Sequence, residues 1–193
     1  MPDVIYLTEA PAAGKSSLTR QLRQRITSLE IFEFGQRLTE YINLTRRAGV
    51  TQIDLRSSSG TIVTPEDVKV VDEQLIEFVD ARRAAVPVII DSHPVTKEKY
   101  GYRVTPYSLR DFERLSPTKI WVLYTDPEVA AERIAADDAG RPSVSVEEAR
   151  FHTHLQASVA TTYGMHLGIP VHFFEASGSQ ADLADMLAGR VVQ

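Results

Sequence analysis

Cysteine is absent from all 193 residues. That excludes a disulfide framework, thiol catalysis and cysteine-ligated zinc. No apolar run comes near the roughly 20 residues that span a bilayer. The opening Met1-Pro2-Asp3 carries no basic segment of the kind that begins a secretory leader. The expectation is a cytoplasmic protein without membrane contact. Positive charge is also short: 21 Lys and Arg against 26 Asp and Glu give a formal net charge of −5. Broad electrostatic binding to nucleic acid is therefore unexpected. An acidic chain that handles anions must gather its arginines locally. Repeats and low-complexity tracts are missing too. What remains is 43% hydrophobic and 24% charged, ordinary for a soluble globular chain. Its length suits one domain, residues 1–193, with a substantial core.

Glycine is missing at a more informative place. Thr8–Ser17 reads TEAPAAGKSS. Its last part, Gly14-Lys15-Ser16, is the end of a phosphate-binding loop, whose pattern G-x-x-x-x-G-K-[ST] asks for glycine at position 9. The chain has Glu9 there, and Ala12 further along. The flanks decide between a nucleotide site and a chance match. Val4–Leu7 is a short apolar run with β-branched and aromatic residues, a buried strand. After the loop, Leu18, Leu22 and Ile26 recur at four, one face of a helix. Strand, loop and helix are the context the motif requires. Backbone N–H groups around Ala12, Ala13, Gly14, Lys15, Ser16 and Ser17 would then cradle phosphate oxygens at a helix N-terminus. Lys15 would meet the β- and γ-phosphates, and the Ser16 hydroxyl would bind Mg²⁺. Alanine at 12 suits the loop if no positive φ is needed there. A carboxylate at 9 must point away from the phosphates or pair with an arginine.

The rest of the chain alternates strands and helices. Strands are expected at Leu29–Phe34, Val86–Asp91, Lys119–Thr125 and around Val171–Glu175. Helices are expected at Gly35–Arg47, from Pro65, at Pro106–Leu115, from Pro127 to Ala136, from Ser145 to about Gly164, and from Ser179. The segment 48–65, rich in Ser, Thr and Gly, reads as a mobile connection. Asp137–Ser143 reads as a polar loop, a natural lid. Such alternation means an α/β fold on a five-stranded parallel sheet.

In parallel sheets ligands sit at the carboxyl ends of the strands. Asp91 ends the apolar run Val86–Ile90, so it is a candidate to hold Mg²⁺ or to orient a nucleophile; the alternative is a turn cap. His93 would position a water or touch a phosphate, or else serve the structure. Arg56, Arg133 and Arg141 stand where an anion clamp could form, because guanidinium forks grip phosphate oxygens; a single arginine is otherwise a surface charge. His152 and His154 are two apart on one helix and point to different faces.

These segments together resemble the archaeal-type adenylate kinases, relatives of the nuclear adenylate kinase-like ATPases. The resemblance runs over nearly the whole chain. It rests on TEAPAAGKSSL at the loop, EFGQRL after the second strand, IIDSHP after the third, WVLYTDPEVAAERI before the short arginine-bearing lid, then His152 and Tyr163-Gly164. It implies a phosphate-loop NTPase fold, a three-layer sandwich with a five-stranded parallel sheet, and ATP and Mg²⁺ as substrate and cofactor. ATP would lie on Lys15, Ser16 and Ser17, with Mg²⁺ near Ser16 and Asp91. Arg133, on the helix leading into a lid near 137–144, and Arg141, in that lid, would close over it. A nucleoside monophosphate would sit near Gly35 and Arg56, in a segment spanning about 35–64. The catalytic set implied is Lys15, Asp91, His93 and Arg141. The chain departs from the family pattern at Glu9 and Ala12, at Ser143 in the place of a second lid arginine, and at Ala157 in the place of another arginine. Nucleoside-monophosphate phosphorylation is the first expectation. An ATPase switch and a non-catalytic nucleotide sensor are the alternatives, with homo-oligomerisation left open.

Overall fold

The computed structural model describes every residue except 11, 47–48, 99, 137–142 and 193, and the side chains of 56–59 also lie outside the described set. Seven strands and eight helices follow in order among the described residues. β1 (Val4–Glu9), α1 (Lys15–Arg25), β2 (Glu30–Glu33) and α2 (Phe34–Arg46) come first. α3 (Gln52–Ile62), α4 (Pro65–Asp80) and β3 (Val88–Asp91) follow, then a hairpin of β4 (Val95–Glu98) and β5 (Gly101–Val104). α5 (Leu109–Leu115), β6 (Lys119–Tyr124), α6 (Pro127–Ala135), α7 (Val146–Leu167), β7 (Val171–Glu175) and α8 (Gln180–Ala188) complete the chain.

Five strands form one parallel sheet in the order β2-β3-β1-β6-β7. Its central strands have no polar alternation because both faces are covered. Val4 and Tyr6 face one core with Phe32, Leu75, Phe112 and Tyr163. Ile5 and Leu7 face the other with Leu18, Leu22, Trp121 and Leu187. Thus α2, α4, α5 and α7 pack on one side and α1 and α8 on the other, which is the expected three-layer α/β sandwich. Parallel register aligns the strand ends, Leu7 and Glu33 each pairing with Asp91. Glu9, Glu33 and Asp91 are thereby delivered to one edge of the sheet.

Local chemistry sets the helix starts. Thr64 accepts the Asp67 N–H, the Asp67 carboxylate returns to the Thr64 N–H, and Pro65 fills the first turn. Ser145 and Glu148 form the same reciprocal box on α7, and Asp126 caps α6 through Glu128 N–H.

Three expectations need correction. The segment 48–65 is not irregular, because it contains α3. Thr51 and Asp54 cap that helix reciprocally, the Asp54 carboxylate taking the Thr51 N–H at 2.8 Å and Thr51 Oγ1 taking the Asp54 N–H at 3.2 Å. Helical hydrogen bonds thus prevail over the weak propensity of Ser and Gly. A two-stranded antiparallel hairpin, unforeseen, lies between β3 and α5. Finally, α7 does not stop near Gly164 but runs to Leu167 and ends on Gly168, whose φ of 66° is the left-handed C-cap that glycine adopts without strain.

Gly164 is there for another reason. A Cβ on it would collide with Cγ2 of Val171, at the point where the chain leaves α7 and turns into β7. Gly164→Ala is expected to destabilise the fold by about 1–3 kcal/mol through forced separation of α7 and β7. Urea unfolding measures this, and an unchanged midpoint would show that the contact yields freely.

Candidate active site

The phosphate loop joins β1 to α1. Gly14, with φ of 92°, is the N-cap of α1 and supplies no side chain to cap it. Ala12 sits at φ of 65°, the left-handed region that costs a non-glycine residue of order 1 kcal/mol. The condition set for alanine at 12, that no positive φ be needed there, is not met: the loop takes a positive φ and adopts it with alanine.

Glu9 does not point away from the loop. Its Oε2 accepts the backbone N–H of Lys15 at 2.7 Å. That N–H belongs to the first turn of α1, where orphan donors and the helix dipole favour an anion. A protein carboxylate here meets one of the amides expected to hold phosphate.

Lys15 is 3% exposed. Its Nζ lies 2.6 Å from Asp91 Oδ1 and 3.2 Å from Nδ1 of His93. Asp91 is buried on the last residue of β3, and His93 is exposed two residues on. The parallel pairing of β1 with β3 brings these three side chains together. Ser16 is exposed and lines the same cavity. A serine hydroxyl and a carboxylate are hard oxygen donors, the set Mg²⁺ takes alongside phosphate oxygens. Ser16 and Asp91 thus fit a magnesium ion.

The cavity at this edge has a volume of about 270 Å³ and reaches from Lys15 and Ser16 to α2, α3 and α4. Gly35 is on its rim, in the first turn of α2. Arg56 follows Leu55, a residue of the cavity wall on α3, and its side chain is outside the described set. Arg141, with most of the lid segment, is outside the described residues altogether. Arg133 does not reach over the cavity. Its guanidinium donates to the carbonyls of Ala12 at 3.2 Å, Ala176 at 3.3 Å and Ser177 at 3.1 Å, tying the phosphate loop to the segment between β7 and α8.

Several residues of this region were not anticipated. The hairpin forms one wall and is fastened to α7. Lys97 Nζ donates to Glu148 Oε1 at 2.5 Å, and this hydrogen bond holds the Glu148 carboxyl down near pH 2. Tyr102 donates to the Glu148 carbonyl at 2.7 Å, and buried His152 reaches the Val95 carbonyl at 3.2 Å. His154 faces solvent, so the two histidines do separate. Gln156, fully buried, donates to the Thr8 hydroxyl and leaves its Oε1 without a hydrogen-bond partner among the described residues. On α4, burial, then Asp111 and Glu73, push the Asp72 carboxyl up to about 7.

The AAA domain family matches residues 10–150, from within the phosphate loop to the first turns of α7. The chain belongs to that family. The relatives of this AAA-domain chain include archaeal adenylate kinases. That of Thermococcus onnurineus (strain NA1) is 24% identical over 179 residues, covering 91% of this chain and 87% of that enzyme. That of Pyrobaculum aerophilum is 26% identical over 149 residues, covering 77% and 72%. Among solved structures, an unliganded sugar kinase from Janibacter sp. HTCC2649 superimposes with a TM-score of 0.55 at 15% identity, over 98% of this chain and 94% of that one. A tunicamycin resistance protein from Deinococcus radiodurans gives 0.57 at 16% identity, over 100% and 99%. At these identities the two structures establish the shared fold. Among the described residues no helix is long and apolar enough to cross a membrane.

Proposed function

We propose that the chain is a magnesium-dependent kinase, a single nucleotide-binding domain that transfers the γ-phosphoryl group of ATP to a nucleoside monophosphate. One observation carries this reading: Lys15, Ser16 and Asp91 converge at one end of a cavity whose other end, between α2, α3 and α4, has room for an acceptor. The similarity to archaeal adenylate kinases supports the choice of acceptor.

Transfer of this kind needs little covalent chemistry from the protein; positioning and charge stabilisation dominate. Amides of Ala13 to Ser17 would hold the β-phosphate. Lys15, released from Asp91, would follow charge onto the bridging and γ-oxygens. Ser16 and Asp91 would hold Mg²⁺, which supplies charge neutralisation to the phosphates when bound. A phosphate oxygen of the acceptor would attack the γ-phosphorus as the bond to the ADP oxygen breaks, with no covalent enzyme intermediate. His93, exposed beside Lys15, stands at the mouth where it can touch the moving group.

The hinge of the assignment is acceptor dependence. ADP formation should rise severalfold when the right monophosphate is added to ATP, against a control without acceptor. Arg56→Ala should lower acceptor-dependent kcat/KM by about 10²-fold, the effect of losing a charge-assisted fork of ~3 kcal/mol, with acceptor-free hydrolysis unchanged. If no common monophosphate stimulates ADP formation, phosphoryl transfer to nucleotides is wrong. A slow ATPase switch then takes its place, a reading favoured by the Glu9 carboxylate already seated on the Lys15 amide.

A further inference from the structure

The phosphate loop lacks glycine at a place where its shape asks for one. The Ala13 N–H closes a turn on the Ala10 carbonyl at 3.3 Å. Ala12 is the third residue of that turn, and its φ of 65° is the conformation for which such turns take glycine. The left-handed region disfavours alanine by roughly 5- to 30-fold. A hold from outside the loop is needed to keep alanine there.

Arg133 supplies that hold. Ala130 and Ile134 of α6 line the cavity, whereas Arg133 is turned to the loop. Its Nη1 donates to the Ala12 carbonyl at 3.2 Å and to the Ala176 carbonyl at 3.3 Å, and its Nη2 donates to the Ser177 carbonyl at 3.1 Å. The first bond fixes the peptide plane between Ala12 and Ala13, and so the direction in which the chain enters the amides of Gly14 to Ser17. The other two anchors are themselves firm. The Ala176 N–H donates to the Tyr124 carbonyl at 2.7 Å. Ser177 Oγ lies 2.7 Å from Thr125 Oγ1 and accepts the Asp126 N–H at 3.1 Å. Gln180 adds a stop on the other side: its amide donates to the Ala176 carbonyl at 3.3 Å and fills the space that a Cβ on Gly14 would need. Through one arginine the loop is fastened to the end of β6.

Three of the five N–H donors of the guanidinium are spent on these carbonyls. That is the commitment of a brace; a clamp for a triphosphate keeps its fork open to the ligand. We propose that Arg133 is a positioning residue that acts through Ala12: it holds the loop in its anion-receiving shape and does not touch ATP. Glycine at 12 would make the brace dispensable, because glycine takes a positive φ without strain. This rests on the reading above only in that the loop receives ATP.

The test is calorimetric titration of ATP with Mg²⁺ into the intact protein, as wild type, Arg133→Met, Ala12→Gly and the double variant. Arg133→Met keeps an apolar stem and loses the donors. It should weaken ATP about 10-fold, because only a fraction of molecules then hold the loop ready. Ala12→Gly in that background should recover about 5-fold, the strain that glycine avoids. In the wild-type background the same glycine should gain no more than about 2-fold, since the arginine already keeps most molecules in the binding shape. Unequal gains of this kind mark two residues in contact. Arg133→Lys, whose ammonium is a single point donor with no fork, carries the same comparison if Arg133→Met does not fold. Unchanged affinity in Arg133→Met, or equal gains from glycine in both backgrounds, overturns the proposal. So does a loss that glycine leaves in place, which is the mark of an arginine on the nucleotide itself. Assaying transfer in the same samples separates the proposal from the kinase reading. Transfer without the coupling removes Arg133's role alone. ATP binding with the coupling but without transfer keeps that role and removes the kinase. A wild type that binds no ATP overturns both.

Discussion

Lys15→Ala is expected to lower ATP-dependent turnover by on the order of 10³-fold and to cost about 3 kcal/mol of folding stability in the same protein. Both effects follow from where the ammonium lies. It is buried, and 2.6 Å separates it from a carboxylate whose side chain is itself only 11% exposed. Deleting one member of such a pair strands the other charge, and that costs roughly 3–5 kcal/mol. Lys15 therefore serves the resting fold as well as the ligand. The turnover loss comes from removing a preorganised cation from the place where phosphoryl charge shifts, an effect of about 10²–10³-fold for one donor. Adding Asp91→Asn to Lys15→Ala separates the two. The stranded charge is gone in the double variant, so its denaturation midpoint should return most of the way to wild type, while turnover stays lost. A single variant that retains turnover would remove the phosphate loop from the chemistry. A single variant of undiminished stability would show that the buried pair contributes nothing net.

Asp91→Asn alone is the second large effect. It keeps the shape at the end of β3 and can still accept a hydrogen bond from Lys15, so the backbone should stay in place. What is lost is the charge at the meeting point of Lys15, Ser16 and the phosphates. The expected result is a fall in kcat of about 10²–10³-fold, with ATP affinity changed by less than about tenfold. That pattern marks an interaction made mainly in the transition state. Single-turnover kinetics with separately measured ATP affinity checks it. Equal loss in affinity and kcat/KM would make Asp91 a ground-state binding residue, and retained kcat would reduce it to a turn cap.

Much of this site could be read from the chain itself. Val4–Leu7 and Val86–Asp91 are runs of β-branched and aromatic residues too short for helices, and parallel pairing then obliges Asp91 to emerge beside Lys15. Capping residues made α4, α6 and α7 legible at their starts. The signals that failed are of two kinds. Some were present but weak: Thr51 and Asp54 form a capping box in a stretch whose composition suggests a loop, and the alternation from Val95 to Val104 is masked by four charged residues and a glycine. Gly164 drew the end of α7 too early because glycine marks both helix ends and close packing. Other features exist only in three dimensions. Nothing local announces that Asp72 and Val68 turn toward a cavity made by α2 and the segment before α5. Nothing local says that Arg133 spends its donors on carbonyls 121 and 43 residues away, or that Gln156 reaches Thr8 across 148 residues.

The bond from the Lys15 amide to Glu9 gives the loop a tethered competitor. A free anion arriving at α1 meets a seat already held by a carboxylate six residues back in the same chain, at an effective concentration set by that short tether. Under the proposed function, the apparent affinity for ATP would be the intrinsic affinity scaled by the fraction of molecules in which Glu9 has let go. Under the proposed function that fraction sets a nucleotide threshold, and binding rises with anything that draws Glu9 off the amide, without a single new contact to ATP.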